Sequence, residues 1–192
     1  MNRLLLLLTI SLGLAQCKQP APEPAPVDYK KEAIRVMSAL KPQVVGTWVL
    51  NRVQINAQRY NMASYGAKLV ADTTFQDFAT ITIQQPLKLW DTPEDPGAPQ
   101  FSGSIRFRGK TYPLYFRTMA GYERIEKGTG YVALFTLYYN FPNGPLPNDP
   151  ELRFLTTVRI EDHYSMEIGA DGKTMLWKAF NNSLTQIDMR KQ

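Results

Sequence analysis

Thiols and imidazoles are almost missing from this 192-residue chain, which holds one cysteine, Cys17, and one histidine, His163. One cysteine forms no intramolecular disulfide, and one Cys with one His falls short of the three or four protein ligands of a zinc site. A nucleophile activated by imidazole would depend on His163 alone, in "EDHYS" beside Glu161 and Asp162. Adjacent residues on a tight turn generally point apart, so this stretch reads as a solvent-exposed turn between strands rather than a carboxylate–imidazole pair. No phosphate loop and no nucleophile elbow occurs. "DTPEDPG" gathers Asp91, Glu94 and Asp95, but its prolines break the regular spacing of calcium ligands, and a solvated loop is expected there. The residues therefore point to no catalytic group, no metal and no cofactor.

Long apolar runs are scarce as well. Asn2 and Arg3 precede one that extends from Leu4 to Leu14, interrupted by Thr9, Ser11 and Gly13. A bilayer span takes about 20 apolar residues, whereas a signal-peptide core takes about 7–15. The run therefore reads as an export signal. Its closing residues with the cysteine, Leu14-Ala15-Gln16-Cys17, resemble the lipobox of bacterial lipoproteins. The resemblance implies cleavage before Cys17 and lipidation, with palmitate among the acyl groups, at a cysteine that becomes the mature N-terminus. Gln16 stands where that family prefers a small residue, and plain signal-peptide cleavage is the alternative. From Lys18 to Pro26 proline and alanine dominate, a composition that favours extended polyproline II over helix or sheet. The expected organisation is a signal at 1–16, a Pro-rich tether at 17–27 and one domain at 28–192. Lys18, rather than Asp, after the cysteine implies by the same resemblance the outer membrane of the cell envelope, reached through the lipid anchor.

Charge of one sign is not concentrated anywhere. Without Arg3, 21 basic residues face 17 acidic ones, and the two kinds alternate through the strand-like segments with no basic cluster to track a phosphate backbone. Nucleic acid is not an expected partner.

The domain begins with helical periodicity at about 28–41, where Ile34, Met37 and Leu40 recur among Lys30, Lys31, Glu32 and Arg35 before Pro42. Such a helix can brace the fold or lie on a membrane surface. The period then changes. "VVGTWVLNRVQI", "FATITIQ", "FSGSIRFRG", "TYPLYFRTM", "YVALFTLYYNF", "ELRFLTTVRI" (Glu151–Ile160), "HYSMEI" and "TMLWKAF" are rich in β-branched and aromatic residues, and "SLTQIDMRK" adds a possible further strand. These runs predict an all-β fold, an antiparallel up-and-down barrel of about 8–10 strands. "AQRYNMASYGAKLV" (Ala57–Val70) reads as a broken helix or a long loop.

Parity registers two hairpins. A Gly109-Lys110 turn would oppose Phe107 to Tyr112, Ile105 to Leu114 and Gly103 to Phe116; an Asp171-Gly172 turn would oppose Ile168 to Met175, Met166 to Trp177 and Tyr164 to Ala179. The resulting inward set, Phe107, Leu114, Phe116, Phe135, Leu137, Tyr139, Phe154, Met166 and Trp177, can line a site for a small hydrophobic ligand or pack as a filled core.

A helix followed by Gly46-Thr47-Trp48 at the opening of an all-β domain resembles the lipocalin-like domains of bacterial lipoproteins and, more distantly, the lipocalin and fatty-acid-binding calycins. In those families the Gly permits a close approach and the Trp plugs one end of the barrel. The resemblance also implies an Arg packed over the Trp, for which Arg159 and Arg190 are the candidates. The function expected is a lipid-anchored envelope binding protein, not an enzyme, holding a small hydrophobic ligand; the alternative is a protein- or glycan-interaction module with a filled barrel. Metabolic palmitate labelling should disappear in Cys17→Ala, and an unlabelled wild-type chain would remove the anchor.

Overall fold

The computed structural model describes residues 26–57, 69, 71–85, 95–141, 148–180 and 183–192. Cys17, nearly all of the tether, Asp91, Glu94 and all but the edges of the Ala57–Val70 segment lie outside the described residues. The order is α1 (Tyr29–Val44), β1 (Gly46–Ile55), β2 (Thr73–Gln76), β3 (Thr80–Gln84), β4 (Gln100–Phe107), β5 (Lys110–Ala120), α2 (Tyr122–Lys127), β6 (Ala133–Tyr139), α3 (Pro150–Thr157), β7 (His163–Ile168), β8 (Thr174–Ala179) and β9 (Leu184–Lys191).

Eight strands close into an antiparallel barrel: β3 to β9 pair in sequence, and β1 joins β3 on one side and β9 on the other. β2 pairs with the second half of β1, continuing the line of β3 past a break at Asp77–Ala79. Asp77 has φ of 44°, and Leu50 and Asn51 hold the break through three backbone bonds of 2.9 Å to residues 77–79. A matching irregularity between Leu50 and Arg52 interrupts β1 against β9. It shifts the alternation by one residue, so Trp48 and Leu50 face inward before it and Val53 and Ile55 after it.

The Asp171-Gly172 hairpin has the register expected from parity, with Met166 opposite Trp177 and Ile168 opposite Met175. The other hairpin turns one residue earlier. Arg108 and Gly109, both with positive φ (48° and 82°), form the turn; Phe107 pairs with Lys110, Ile105 with Tyr112, Gly103 with Leu114 and Phe101 with Phe116. Two positive φ values are the signature of a type I′ turn. A slip of two residues preserves the face of every side chain, which is why parity alone does not detect it.

Two further expectations are corrected. The run Glu151–Ile160 is not a strand: Pro150–Thr157 is helical, because Asp149 caps it by accepting from Glu151 N and Leu152 N at 3.0 and 3.1 Å and Pro150 occupies the first turn. Leu152 and Leu155 are buried beneath it. At α1, Pro42 does not end the helix but rides in its last turn, and Val45 is the first extended residue. A proline there gives up the bond to the carbonyl four residues back and crowds that carbonyl, a cost confined to the last turn.

α1 is capped by Asp28, whose Oδ1 accepts from Lys31 N at 3.1 Å, and it buries Val36, Met37, Leu40 and Val44 across the barrel end where β1 starts and β9 finishes. Trp48 Nε1–H donates to Val44 O (2.8 Å) and Lys191 Nζ to Gln43 O (2.9 Å), satisfying two carbonyls that the end of a helix leaves without partners. At its other end Tyr29 stacks on Tyr122 of α2 at 5.4 Å, and both phenols donate to Glu126 Oε1. The opposite barrel end is covered by α3, where Phe154 stacks on Phe107 (5.8 Å) and lies near Phe75 and Phe78.

Trp177 is fully buried, and Trp177→Ala should cost about 3–5 kcal/mol in urea unfolding. A Cβ on Gly103 would meet Thr82 O at 2.2 Å, so Gly103→Ala should lose about 1–3 kcal/mol through forced strand separation.

Candidate functional site

The inward residues occupy consecutive strands. Phe107 comes from β4, Leu114 and Phe116 from β5, Phe135, Leu137 and Tyr139 from β6, Met166 from β7 and Trp177 from β8. All but Tyr139 are buried, and Tyr139 is partly so. Phe154 belongs with them only at the barrel end, since it projects from α3 rather than from a strand.

These side chains meet across the axis. Phe135 lies 4.5 Å from Trp177 and 5.2 Å from Tyr164, and Phe116 lies 6.3 Å from Trp177 although β6 and β7 separate their strands around the wall. Such centroid separations are those of touching rings. The Tyr164 hydroxyl turns away from the cluster and donates to Arg159 O and Ile160 O at 2.9 Å. Burial and the nearby Asp162 push its phenol far above the ordinary tyrosine range.

Gly46 and Trp48 lie at the start of β1, and the cation over the indole is Lys191. Its Nζ lies 5.1 Å from the ring centroid, so neither Arg159 nor Arg190 plays that part. Gly46 has φ of 134°, and a Cβ there would stand 2.8 Å from Lys191 Cε. The backbone thus requires glycine, and a side chain there would in addition displace the end of the lysine.

Near α3 a polar network joins Lys110 Nζ to Asp149 Oδ2 (2.7 Å) and Glu151 Oε2 (2.5 Å), while Tyr112 OH donates to Asp149 Oδ1 (2.7 Å). Lys110, followed by Tyr112, holds the Asp149 carboxyl well below the usual carboxylate range. Burial, followed by Asp149, pushes the Tyr112 phenol up to about 12. Nearby, the buried Tyr139 hydroxyl and Asp162 Oδ2 have no hydrogen-bond partner among the described residues, and burial raises the Glu161 carboxyl. His163 opens β7, exposed; its backbone N–H donates to Asp162 Oδ1 (2.7 Å), and its Nδ1 lies 3.5 Å from the same oxygen. The two neighbours therefore do not point apart. Asp95 Oδ1 accepts from Gly97 N at 2.8 Å, a local turn bond. Among the described residues no group of three or more His, Cys, Asp or Glu side chains could hold a metal ion.

The outer wall carries a feature that strand alternation did not single out. Cross-strand pairing sets Tyr115 beside Tyr138, Arg117 beside Thr136 and His163, and Met119 beside Leu134 and Ser165 on β5, β6 and β7. A groove of about 470 Å³ runs over this face, lined by Arg117, Met119, Leu134, Tyr138, His163 and Phe180. Met119, Tyr138 and Phe180 are 51 %, 47 % and 48 % exposed. The only sequence signal for it is the apolar outer parity of Leu134 and Tyr138 in a strand that is apolar on both faces.

Comparisons with protein-family models, with curated proteins and with solved structures return no match.

Two titrations test the polar network. Asp149 has a depressed folded pKa, so its contribution is present above the unfolded value of about 4 and is lost as pH falls through the folded one. The urea-midpoint difference between wild type and Asp149→Asn should accordingly shrink as pH drops from 5 to 2. Glu161 has the opposite sign: its raised carboxyl favours folding below about 4 and loses that advantage as pH rises through the folded value. Glu161→Gln should be more stable than wild type at pH 7, and a lower midpoint there would contradict the assignment.

Proposed function

We propose that the chain is an exported, lipid-anchored binding protein of the cell envelope that engages a partner through its outer wall, its barrel being filled. The observation that carries this is the ring contact across the axis. Phe116 and Phe135 against Trp177, at 6.3 and 4.5 Å, bring buried rings from β5, β6 and β8 into contact within the space in which an eight-stranded barrel would otherwise hold one small ligand. Closure of the two ends by α1 and α3 supports the same reading. The sequence order of apolar run, lone cysteine, Pro-rich spacer and domain supports the anchor, and the envelope location depends on it.

Binding rather than catalysis is favoured by the isolation of the one imidazole. His163 is exposed, and among the described residues Asp162 is the one carboxylate within ion-pair distance of it, with no thiol nucleophile there to activate.

A second reading keeps a small hydrophobic ligand inside the barrel. It is favoured by the almost wholly apolar interior and by the buried, unpartnered Tyr139 hydroxyl at its edge, which a polar ligand head could satisfy. Native mass spectrometry of the purified full chain distinguishes the two. The filled barrel predicts the mass of the processed polypeptide and its acyl groups alone, with no enhancement of a fluorescent fatty acid. A co-purifying apolar molecule released by solvent extraction would overturn it in favour of the second reading.

A further inference from the structure

We propose that the groove on the outer face of β5, β6 and β7 is the docking site for a short polypeptide segment of another protein, one that pairs an apolar or aromatic side chain with a carboxylate. The inference rests on the reading of the chain as a module that binds through its wall, and it names where and with what chemistry.

The groove is apolar where a water-facing wall is ordinarily polar. Three of the most exposed large hydrophobic side chains in the described chain, Met119, Tyr138 and Phe180, converge on it, with Leu134 between them. Scattered single apolar residues on a surface need no explanation, whereas a contiguous set with a polar rim marks a contact site. The distance from Leu134 to Tyr138 along β6 is about 13 Å at about 3.3 Å per residue, the reach of four or five residues of extended peptide. β6 has partners on both sides, so an incoming segment finds no free strand edge. Recognition must come from side chains entering the groove.

The rim decides which side chains. Arg117 and His163 stand in one cross-strand row with Thr136 between them, and no ion pair joins Arg117 to a carboxylate among the described residues. Two cations that line a second groove are already engaged: Arg35 with Glu32 at 2.7 Å and Arg124 with Gly128 O at 2.9 Å. The carboxylate beside His163, Asp162, is turned inward with its side chain 12 % exposed and is spent on the His163 backbone N–H. A carboxylate on the partner would meet a guanidinium whose planar fork suits it, at the edge of an apolar floor that weakens competition from water.

The same features disfavour other occupants. Among the described residues lining the groove there is no carboxylate or amide of the kind that reads a saccharide's hydroxyl groups. A second copy docked by two-fold symmetry would set the groove against itself, bringing two uncompensated guanidinium groups together.

The test is a random heptapeptide phage library selected on the anchored full chain in detergent, followed by anisotropy titration of one selected, labelled peptide. Enriched sequences should combine Phe, Tyr, Trp, Leu or Met with Asp or Glu. Affinity should fall about tenfold or more in Arg117→Glu, the range expected for losing a charged hydrogen bond, and likewise in Tyr138→Ser. Exchanging the peptide's acid for Lys should restore binding to Arg117→Glu, which rules out simple misfolding of that variant. Basic or acid-free consensus sequences, or affinities unmoved by both substitutions, would overturn the proposal. So would phosphatidylglycerol vesicle binding lost in Arg117→Glu, or concentration-dependent dimerisation lost in Tyr138→Ser, which would identify a lipid surface or a second copy as the occupant. A molecule extracted from the barrel would instead defeat the filled-barrel reading and leave the groove titration standing.

Discussion

Pairing of β1 with β9, from Trp48 opposite Lys191 to Ile55 opposite Leu184, is the contact on which the architecture depends. Without it both strands would be free edges, and a sheet with open edges invites pairing with other chains. The closure also assembles the end of the molecule. It brings Trp48 and Lys191 side by side beneath α1, so that one indole and one ammonium take the carbonyls of Val44 and Gln43. The ammonium stands at the negative end of the helix dipole and above an aromatic face, two favourable placements for one charge. Gly46 is the concession that makes the arrangement fit, since its φ of 134° strains any other residue and a Cβ would push the lysine aside.

A closed barrel of eight strands leaves the interior little choice. The residues that point inward are determined by alternation, and their bulk then determines whether space remains. Here four strands contribute Phe116, Phe135, Tyr164 and Trp177 to one buried aromatic cluster. On the filled-barrel reading, selective recognition is expressed on the outside, where the same alternation that builds the core places Leu134 and Tyr138 on the outer face.

How much of this was legible in the sequence depends on which physical rule a residue answers to. Alternation identified the barrel and most of its inward set, and Asp171-Gly172 registered its hairpin because Gly172, with φ of 64°, takes the backbone the turn needs. Gly109-Lys110 misplaced its hairpin because parity is blind to a two-residue slip. Pro150 behind Asp149 was a helix-start signal outweighed by the β-rich composition of the run after it, and the inward place of Phe154 was lost with it. Lys191 escaped notice because nothing local distinguishes a terminal lysine that covers a ring from one that does not. The candidate interior was legible residue by residue, yet the contacts among its rings were not, since a period of two gives the face of a side chain but never the distance between side chains of separated strands. The outer groove was the least legible, being made by residues on three strands and beyond β8 whose adjacency exists only after pairing.

Tyr29 acquires a mechanical meaning from its place at the start of α1. If the chain hangs from a lipid at Cys17, any pull between membrane and barrel enters the folded part at this residue, where the stacked ring of Tyr122 and the shared Glu126 oxygen receive it. The far end of the same helix is moored by Trp48 and Lys191, so the load is carried by a beam fixed at both ends. Tension on the tether would therefore strain two side-chain fastenings before it reached a single rung of the barrel's hydrogen-bond ladder, leaving the outer wall undistorted while the molecule is held under force.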